Sequence, residues 1–80
     1  MGRERVSAVF ARVLRREREA RGLSQEALAA RAGVHRTYVG LIERGLRKPT
    51  IEVGHALARA LGTPLSDLIR DAERQLPRGG

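Results

Sequence analysis

Glycine divides this chain into short segments, and within each segment apolar residues recur at every third or fourth position. That spacing is typical of one face of an α-helix. Because glycine readily adopts the left-handed backbone in which helices end, each interrupting glycine predicts a helix end. These glycines are Gly22, Gly33, Gly45 and Gly62. Valine and isoleucine nowhere alternate with polar residues over a strand length, so the predicted fold class is all-α, with five short helices around one core.

Residues with cap-forming side chains or fixed backbones mark several predicted helix starts. Ser24 and Thr50 occupy N-cap positions, and Thr63 with Pro64 at the first helical position opens the fifth helix. These signals predict a single domain over residues 6–76. We expect a disordered N-terminus before it and a disordered tail over residues 77–80.

The charge balance favours a polyanionic partner. Sixteen Lys and Arg residues against nine Asp and Glu give a formal net charge of +7. Charge alone does not distinguish DNA, RNA and an acidic membrane, although nucleic acid is the simplest such partner. The single Phe and single Tyr cannot form the stacking platform of a general nucleic-acid coating protein.

The chain lacks the groups that catalysis and metal binding need. A domain of this size buries only about 60% of its unfolded surface, which leaves no room for a deep cleft or an effector domain. There is no cysteine, His35 and His55 form no metal-ligand pattern, and nothing is spaced to activate Ser24. We therefore expect no enzyme activity, metal, cofactor or small-molecule ligand. Charged residues interrupt every helix-length window, so we expect no membrane span and a cytoplasmic, nucleoid-associated location.

Residues 23–45 carry the pattern of two short helices joined by a tight turn. Ala29 is small where the second helix would press against the first, and Gly33 supplies the positive φ that the turn needs. The combination predicts a helix-turn-helix over about residues 24–44, with a recognition helix over about residues 35–44. The residues predicted to face inward are Val34, Val39 and Ile42.

This segment resembles the signature of the Cro and phage-repressor, or XRE, helix-turn-helix family, and above all its small bacterial members. From residue 22 it reads Gly-Leu-Ser-Gln-Glu-Ala-Leu-Ala-Ala-Arg-Ala-Gly-Val-His-Arg-Thr-Tyr-Val-Gly-Leu-Ile-Glu-Arg-Gly. The resemblance covers roughly residues 6–72 and implies a compact five-helix fold like that of lambda repressor. It also implies a transcriptional regulator that binds a double-stranded DNA operator. The His-Arg-Thr-Tyr opening is similar to controller proteins of restriction-modification systems, although other small regulators share such openings.

The resemblance further implies which residues touch DNA. Arg36, Thr37 and Leu41 match positions that face base edges in the major groove. Arg36 can pair bidentately with guanine O6 and N7, worth about 1–3 kcal/mol of discrimination, whereas Leu41 allows only apolar contact. Gln25 matches a position that reaches a phosphate, and residues at helix ends and in the basic loop are assigned the same role. The residues expected to contact the DNA backbone are Gln25, His35, Tyr38, Arg44, Arg47 and Lys48.

Arg18 and Glu43 are expected to pair. Each lies four residues after an inward apolar residue, Leu14 and Val39 respectively, and so continues the inner face of its helix. In the family that the sequence resembles, an arginine at this position of the first helix pairs with this glutamate. The expected role of the pair is structural.

A single recognition helix reads only a few base pairs, so we expect a homodimer on an inverted repeat. The fifth helix carries more apolar surface than a terminal helix of so small a domain can easily bury, although closing the monomer core is an alternative use. RNA polymerase, blocked or recruited by the bound protein, is a further expected partner. The alternative function is an antitoxin-like protein-interaction module with secondary DNA binding. The residues predicted for the dimer interface are Leu65, Leu68, Ile69 and Ala72.

Overall fold

The computed structural model describes residues 5–77. Over that range the regular secondary structure is helical throughout: α1 (Val6–Ala20), α2 (Gln25–Ala32), α3 (Arg36–Glu43), α4 (Ile51–Leu61) and α5 (Leu65–Gln75). The predicted all-α fold with five helices is confirmed. No helix in the described range is long and apolar enough to cross a membrane. The predictions of disorder for residues 1–4 and 78–80 lie outside the described residues.

Hydrogen bonds at the helix starts follow the sequence signals, with one exception. Ser24 Oγ accepts the backbone N–H of Ala27 at 3.0 Å, and Thr50 Oγ1 accepts that of Val53 at 3.1 Å. Pro64 differs from the prediction, since it is the N-cap of α5 and not its first helical residue. Its φ of −69° suits either position, but its ψ of 145° is extended.

Buried apolar side chains from all five helices form one core. Helix α1 packs against α3 and α5, α4 packs against α2 and α5, and α2 and α3 pack against each other. The buried members are Val9, Phe10, Val13, Leu14, Leu28, Ala29, Val39, Ile42, Leu57, Ala58, Leu61, Leu68 and Ala72.

Helix α5 contributes to this core with residues that the sequence assigned to a dimer interface. Leu68 and Ala72 are only 2% and 0% exposed within a single chain. Their assignment is therefore corrected, because α5 packs this face against α1 and α4 and leaves neither side chain accessible to a partner. Leu65 and Ile69 remain half-buried. Closing the monomer core is thus one use of α5.

Arg16 of α1 ties this helix to α5, and Arg21, the residue that follows α1, ties it to α4. Arg16 Nη2 lies 3.0 Å from Asp71 Oδ2 on α5. Arg21 Nε donates to the carbonyl oxygen of Leu61, at the end of α4, at 2.7 Å. A hydrogen bond from Arg21 and a smaller contribution from a hydrogen bond with Arg16 hold the pKa of Glu17 below its ordinary value. This carboxylate therefore stays ionised between the two arginines. These arginines therefore serve the scaffold.

Candidate nucleic-acid interface

Helices α2 and α3 are joined by the three-residue turn 33–35. Gly33 ends α2 with φ 74°, and the N–H of Val34 donates to the carbonyl oxygen of Ala29 at 3.0 Å, which closes the turn. Ala29 is buried where α2 and α3 meet the core. This is the geometry of a helix-turn-helix, with α3 in the position of the recognition helix.

His35 caps α3 and does not join it. Its Nδ1 accepts the N–H of Thr37 at 3.1 Å, which leaves Nε2 as the nitrogen that carries a ring proton. Helix α3 therefore runs from Arg36 to Glu43, one residue shorter at each end than the predicted recognition helix. The exposed ring keeps its Nε2 N–H as a donor of the kind that a phosphate accepts.

Most of the predicted base-reading residues border a shallow depression between α2 and α3. Arg36 and Thr37 are exposed at the start of α3, and Gln25 is exposed at the start of α2. Leu41 is half-buried and does not line the depression. The structure thus brings together two of the three predicted base contacts with two of the predicted phosphate contacts, Gln25 and Arg44. The lining residues are Arg18, Ser24, Gln25, Glu26, Arg36, Thr37, Gly40 and Arg44.

Arg18 and Glu43 form a bidentate ion pair at this depression. Arg18 Nε donates to Glu43 Oε2 at 2.7 Å and Nη2 donates to Oε1 at 3.0 Å, with the two side chains only 10% and 2% exposed. Arg18 Nη1 also donates to the carbonyl oxygen of Leu23 at 2.6 Å. The hydrogen bond to Glu43 raises the pKa of Arg18, so the guanidinium stays ionised. One side chain of α1 thereby holds both the segment before α2 and the end of α3.

Glu43 has a second partner that sequence reasoning missed. Gln25 Nε2 donates to Glu43 Oε1 at 3.0 Å, so the carboxylate links α1, α2 and α3. The Gln25 amide has a second N–H that this hydrogen bond does not use. Gly40 lies beside this arrangement, and a Cβ there would be 3.4 Å from Gln25 Oε1, which is ordinary van der Waals contact.

The basic loop after α3 is held by Tyr38. The guanidinium carbon of Arg47 lies 5.3 Å from the centroid of the Tyr38 ring, which is a cation–π contact. The ring itself is half-buried against the core. Arg44, Arg47 and Lys48 are all exposed. Cationic side chains therefore follow the C-terminal end of α3, where the sequence predicts phosphate contacts.

Arg36 has an acidic neighbour that sequence reasoning also missed. Its Nη1 lies 3.6 Å from Glu26 Oε2, and the two side chains are 66% and 73% exposed. Glu26 lies in the first turn of α2, whereas Arg36 opens α3, so helical spacing gives no signal of the contact. An exposed carboxylate thus borders the candidate base-reading surface.

A second exposed surface is apolar. A groove of about 300 Å³ lies between α1, the start of α4 and α5, and Leu65 and Ile69 line it together with Val6 and Ile51. Ile51, the first residue of α4, is 78% exposed. Monomers rarely leave a large apolar patch open, so this groove is a candidate protein interface.

The tight turn, the buried ion pair and the exposed polar side of α3 define a helix-turn-helix domain. The helix-turn-helix family model matches residues 14–68 of the chain. The chain belongs to this family, in its XRE type, and the family resemblance of the sequence is confirmed.

Curated proteins with similar sequences carry regulatory names. An uncharacterized HTH-type transcriptional regulator, y4dJ of Sinorhizobium fredii (strain NBRC 101917 / NGR234), is 43% identical over 67 residues, 84% of this chain and 82% of that protein. The control protein C.SmaI of Serratia marcescens is 39% identical over 64 residues, 80% of this chain and 76% of that protein.

Solved structures agree with the fold. The restriction-modification controller protein C.AhdI from Aeromonas hydrophila matches with a TM-score of 0.75 and 42% identity, covering 78% of this chain and 94% of that chain. The clp gene regulator ClgR from Corynebacterium glutamicum matches with a TM-score of 0.86, covering 94% of this chain and 97% of that chain. At 23% identity, the second match shows the fold alone.

Proposed function

We propose that this protein is a sequence-specific regulator of transcription that binds double-stranded DNA with α3 in the major groove. The observation that carries the proposal is the exposed side of the helix-turn-helix, where Arg36, Thr37 and Gln25 border one depression. The Arg18–Glu43 pair supports it, because this ion pair holds the C-terminal end of α3 against α1. Similar proteins named as a transcriptional regulator and a control protein support it as well.

Base reading is assigned to the exposed residues of α3. Arg36 donates two N–H groups to guanine O6 and N7, the pattern that distinguishes guanine from the other bases in the major groove. Thr37 offers its hydroxyl to a base edge or its methyl to thymine. Leu41, which is half-buried, adds apolar contact at most. Sequence selectivity is therefore concentrated in Arg36.

The remaining contacts position α3 on the duplex. The second amide N–H of Gln25 and the Nε2 N–H of His35 bind phosphates next to the depression. Arg44 and the loop residues Arg47 and Lys48 bind phosphates beyond the other end of α3, with Tyr38 holding Arg47 in place. These contacts supply affinity on any sequence.

The protein binds an inverted repeat as a homodimer. Helix α3 has only eight residues, so one copy contacts few base pairs, and two copies bind half-sites about one helical turn, ~34 Å, apart. The proposed interface is the apolar groove, with Leu65, Ile69, Val6 and Ile51. Dimerisation makes operator occupancy steep in protein concentration, which suits a regulator that responds to its own abundance.

Similarity to C.SmaI and to the structure of C.AhdI favours a controller protein of a restriction-modification system as the particular role. In that role the bound dimer blocks or recruits RNA polymerase in the cytoplasm. No catalytic step is part of the proposal.

Methylation interference tests the placement of α3. Methylation of guanine N7, in the major groove, is expected to abolish binding at one guanine or more in each half-site, because Arg36 needs that acceptor. Methylation of adenine N3, in the minor groove, is the matched control and is expected to leave binding intact. Interference confined to adenine N3 would contradict the proposed docking.

Lys48→Ala is expected to weaken binding to every duplex alike. Lys48 is exposed in the basic loop and is assigned to a phosphate, so its loss lowers the salt slope by about one per DNA-bound chain. Titration of a selected and a scrambled duplex at several salt concentrations measures both effects. Arg74→Ala, which removes an exposed cation from α5, is the control. A loss confined to the selected duplex would show that Lys48 reads sequence.

Ile51→Ser is expected to raise the dissociation constant of the dimer about tenfold or more, because two exposed apolar side chains leave the interface. Its 78% exposure makes folding insensitive to the change. Leu46→Ser is the matched control, since Leu46 is 67% exposed but does not line the groove. Light scattering over a concentration series measures the dimer. Equal effects of the two substitutions would contradict the assigned interface.

A further inference from the structure

We infer that Glu26 sets the selectivity of Arg36, by making a neutral base edge a better acceptor for this arginine than a phosphate. The inference rests on the proposed function and adds a residue outside the set assigned to DNA contact. It starts from the ion pair across the helix-turn-helix, where Arg36 Nη1 lies 3.6 Å from Glu26 Oε2. Both side chains line the depression that is proposed to meet the major groove.

Glu26 is unusual for its place on this surface. Residues 21–48 contain two acidic side chains, and Glu43 is buried and neutralised by Arg18. Glu26 is therefore the one exposed carboxylate on a surface that must approach a polyanion. Among the described residues, Arg44, Arg47 and Lys48 form no ion pair, so of the cations assigned to DNA only Arg36 carries an acidic partner.

The chemistry of the two acceptors differs in charge. A guanidinium has five N–H groups, and bidentate contact with guanine uses two of them, which leaves others for Glu26. Guanine is neutral, so an arrangement in which Arg36 contacts both the Glu26 carboxylate and the base brings no like charges together. Arg36 can therefore read guanine while Glu26 remains beside it.

A phosphate on Arg36 produces the opposite situation. The carboxylate lies 3.6 Å from the guanidinium, so an anion bound to that guanidinium comes within a few ångströms of Glu26. The two negative charges repel, and only the phosphate-bound arrangement is penalised. Glu26 thereby disfavours binding of Arg36 to a phosphate, which is non-specific, and does not disfavour its binding to guanine, which is specific.

A purely structural role for Glu26 gives a different result. A carboxylate in the first turn of α2 interacts favourably with the helix dipole, which stabilises the fold whether or not DNA is bound. Such a role changes the free energy of unfolding and leaves the ratio of the two DNA affinities untouched.

The test compares Glu26→Gln, Arg36→Ala and the double variant with the wild-type chain. The probes are a duplex selected by the wild-type protein from a random library and a scrambled duplex of the same composition, titrated by fluorescence anisotropy at two salt concentrations. Glu73→Gln, which neutralises an exposed carboxylate of α5, is the matched control. Denaturation of each variant reports any change in stability.

Glu26→Gln is expected to tighten binding to the scrambled duplex about fivefold, the scale of a surface charge interaction. Its salt slope on that duplex steepens by about one per DNA-bound chain, because Arg36 then neutralises a phosphate. Binding to the selected duplex changes less than about twofold. In the Arg36→Ala background the effect of Glu26→Gln disappears, and Glu73→Gln has none.

Several outcomes overturn the inference. Equal tightening on both duplexes would mean that Glu26 repels DNA without regard to sequence. An effect that persists in the Arg36→Ala background would mean that Glu26 does not act through Arg36. A stability change with an unchanged affinity ratio would leave only the helix-dipole role.

The wild-type protein distinguishes failure of this inference from failure of the proposed function. A wild-type protein that binds both duplexes equally contradicts the proposed function, and this inference with it. A selective wild type whose ratio of affinities for the two duplexes is unchanged by Glu26→Gln contradicts this inference alone.

Discussion

Glu43→Ala is expected to lower the free energy of unfolding by about 3–5 kcal/mol, because it leaves the Arg18 guanidinium buried without its counter-charge. The side chain of Arg18 is only 10% exposed and donates two of its hydrogen bonds to Glu43, so water cannot readily replace the carboxylate. Small domains have total stabilities of about 5–15 kcal/mol, so the loss removes a large part of the whole. Urea denaturation followed by helical circular dichroism measures it.

Two further variants distinguish the effect of breaking the buried pair from the effect of removing any charged side chain. Glu19→Ala removes an exposed carboxylate of α1 that lies 3.1 Å from Arg15 Nε and 3.9 Å from Arg18 Nη2, outside the buried bidentate pair, and it is expected to change stability by less than about 1 kcal/mol. Replacement of both partners, Arg18→Met with Glu43→Leu, is expected to recover much of the loss, since no uncompensated charge remains. A Glu43→Ala protein as stable as the Glu19→Ala protein would show that the pair does not hold the scaffold.

Arg36→Ala is expected to abolish most of the preference for the operator. Each bidentate arginine–guanine contact is worth about 1–3 kcal/mol, and a dimer loses two of them, so operator affinity falls by about 30-fold to 2 × 10⁴-fold. Affinity for a scrambled duplex falls far less, because only one exposed cation per chain is removed. The quantity to measure is the ratio of the dissociation constants for the scrambled duplex and the operator.

Arg36→Lys distinguishes geometry from charge. Lysine keeps the positive charge but lacks the planar fork, so it is expected to keep non-specific affinity and lose most of the selectivity. Arg31→Ala, which removes an exposed arginine from the last turn of α2, is expected to leave the ratio unchanged. If Arg36→Ala and Arg31→Ala lowered both affinities equally, Arg36 would be a phosphate contact and not a reader.

Features that depend on local sequence were predictable. The cap at Ser24 and the end of α2 at Gly33 are each set by a few adjacent residues. Arg18 and Glu43 could be paired from the sequence, because each continues the inner face of its own helix and the family resemblance supplies the packing of the two helices. Pro64 shows the limit of such reasoning, since its fixed φ suits two adjacent positions and only ψ decides between them.

Features that depend on the distance between helices were not predictable. The contacts of Gln25 with Glu43 and of Glu26 with Arg36 join side chains from different helices, and their formation depends on how α3 crosses α2. Helix α5 posed a similar problem, because an apolar face looks the same in sequence whether it meets its own core or a partner. Only the packed chain separates buried Leu68 from half-buried Leu65.

The measurement that tests sequence-specific DNA binding most directly is selection of bound duplexes from a random library, followed by titration of the selected and a scrambled duplex at two salt concentrations. An enriched inverted repeat containing guanine in each half-site, preferred by at least ~10³ over the scramble, is the expected result. No enrichment, together with binding that simply collapses as salt rises, would mean that the basic surface holds DNA without reading it and would contradict a sequence-specific regulator.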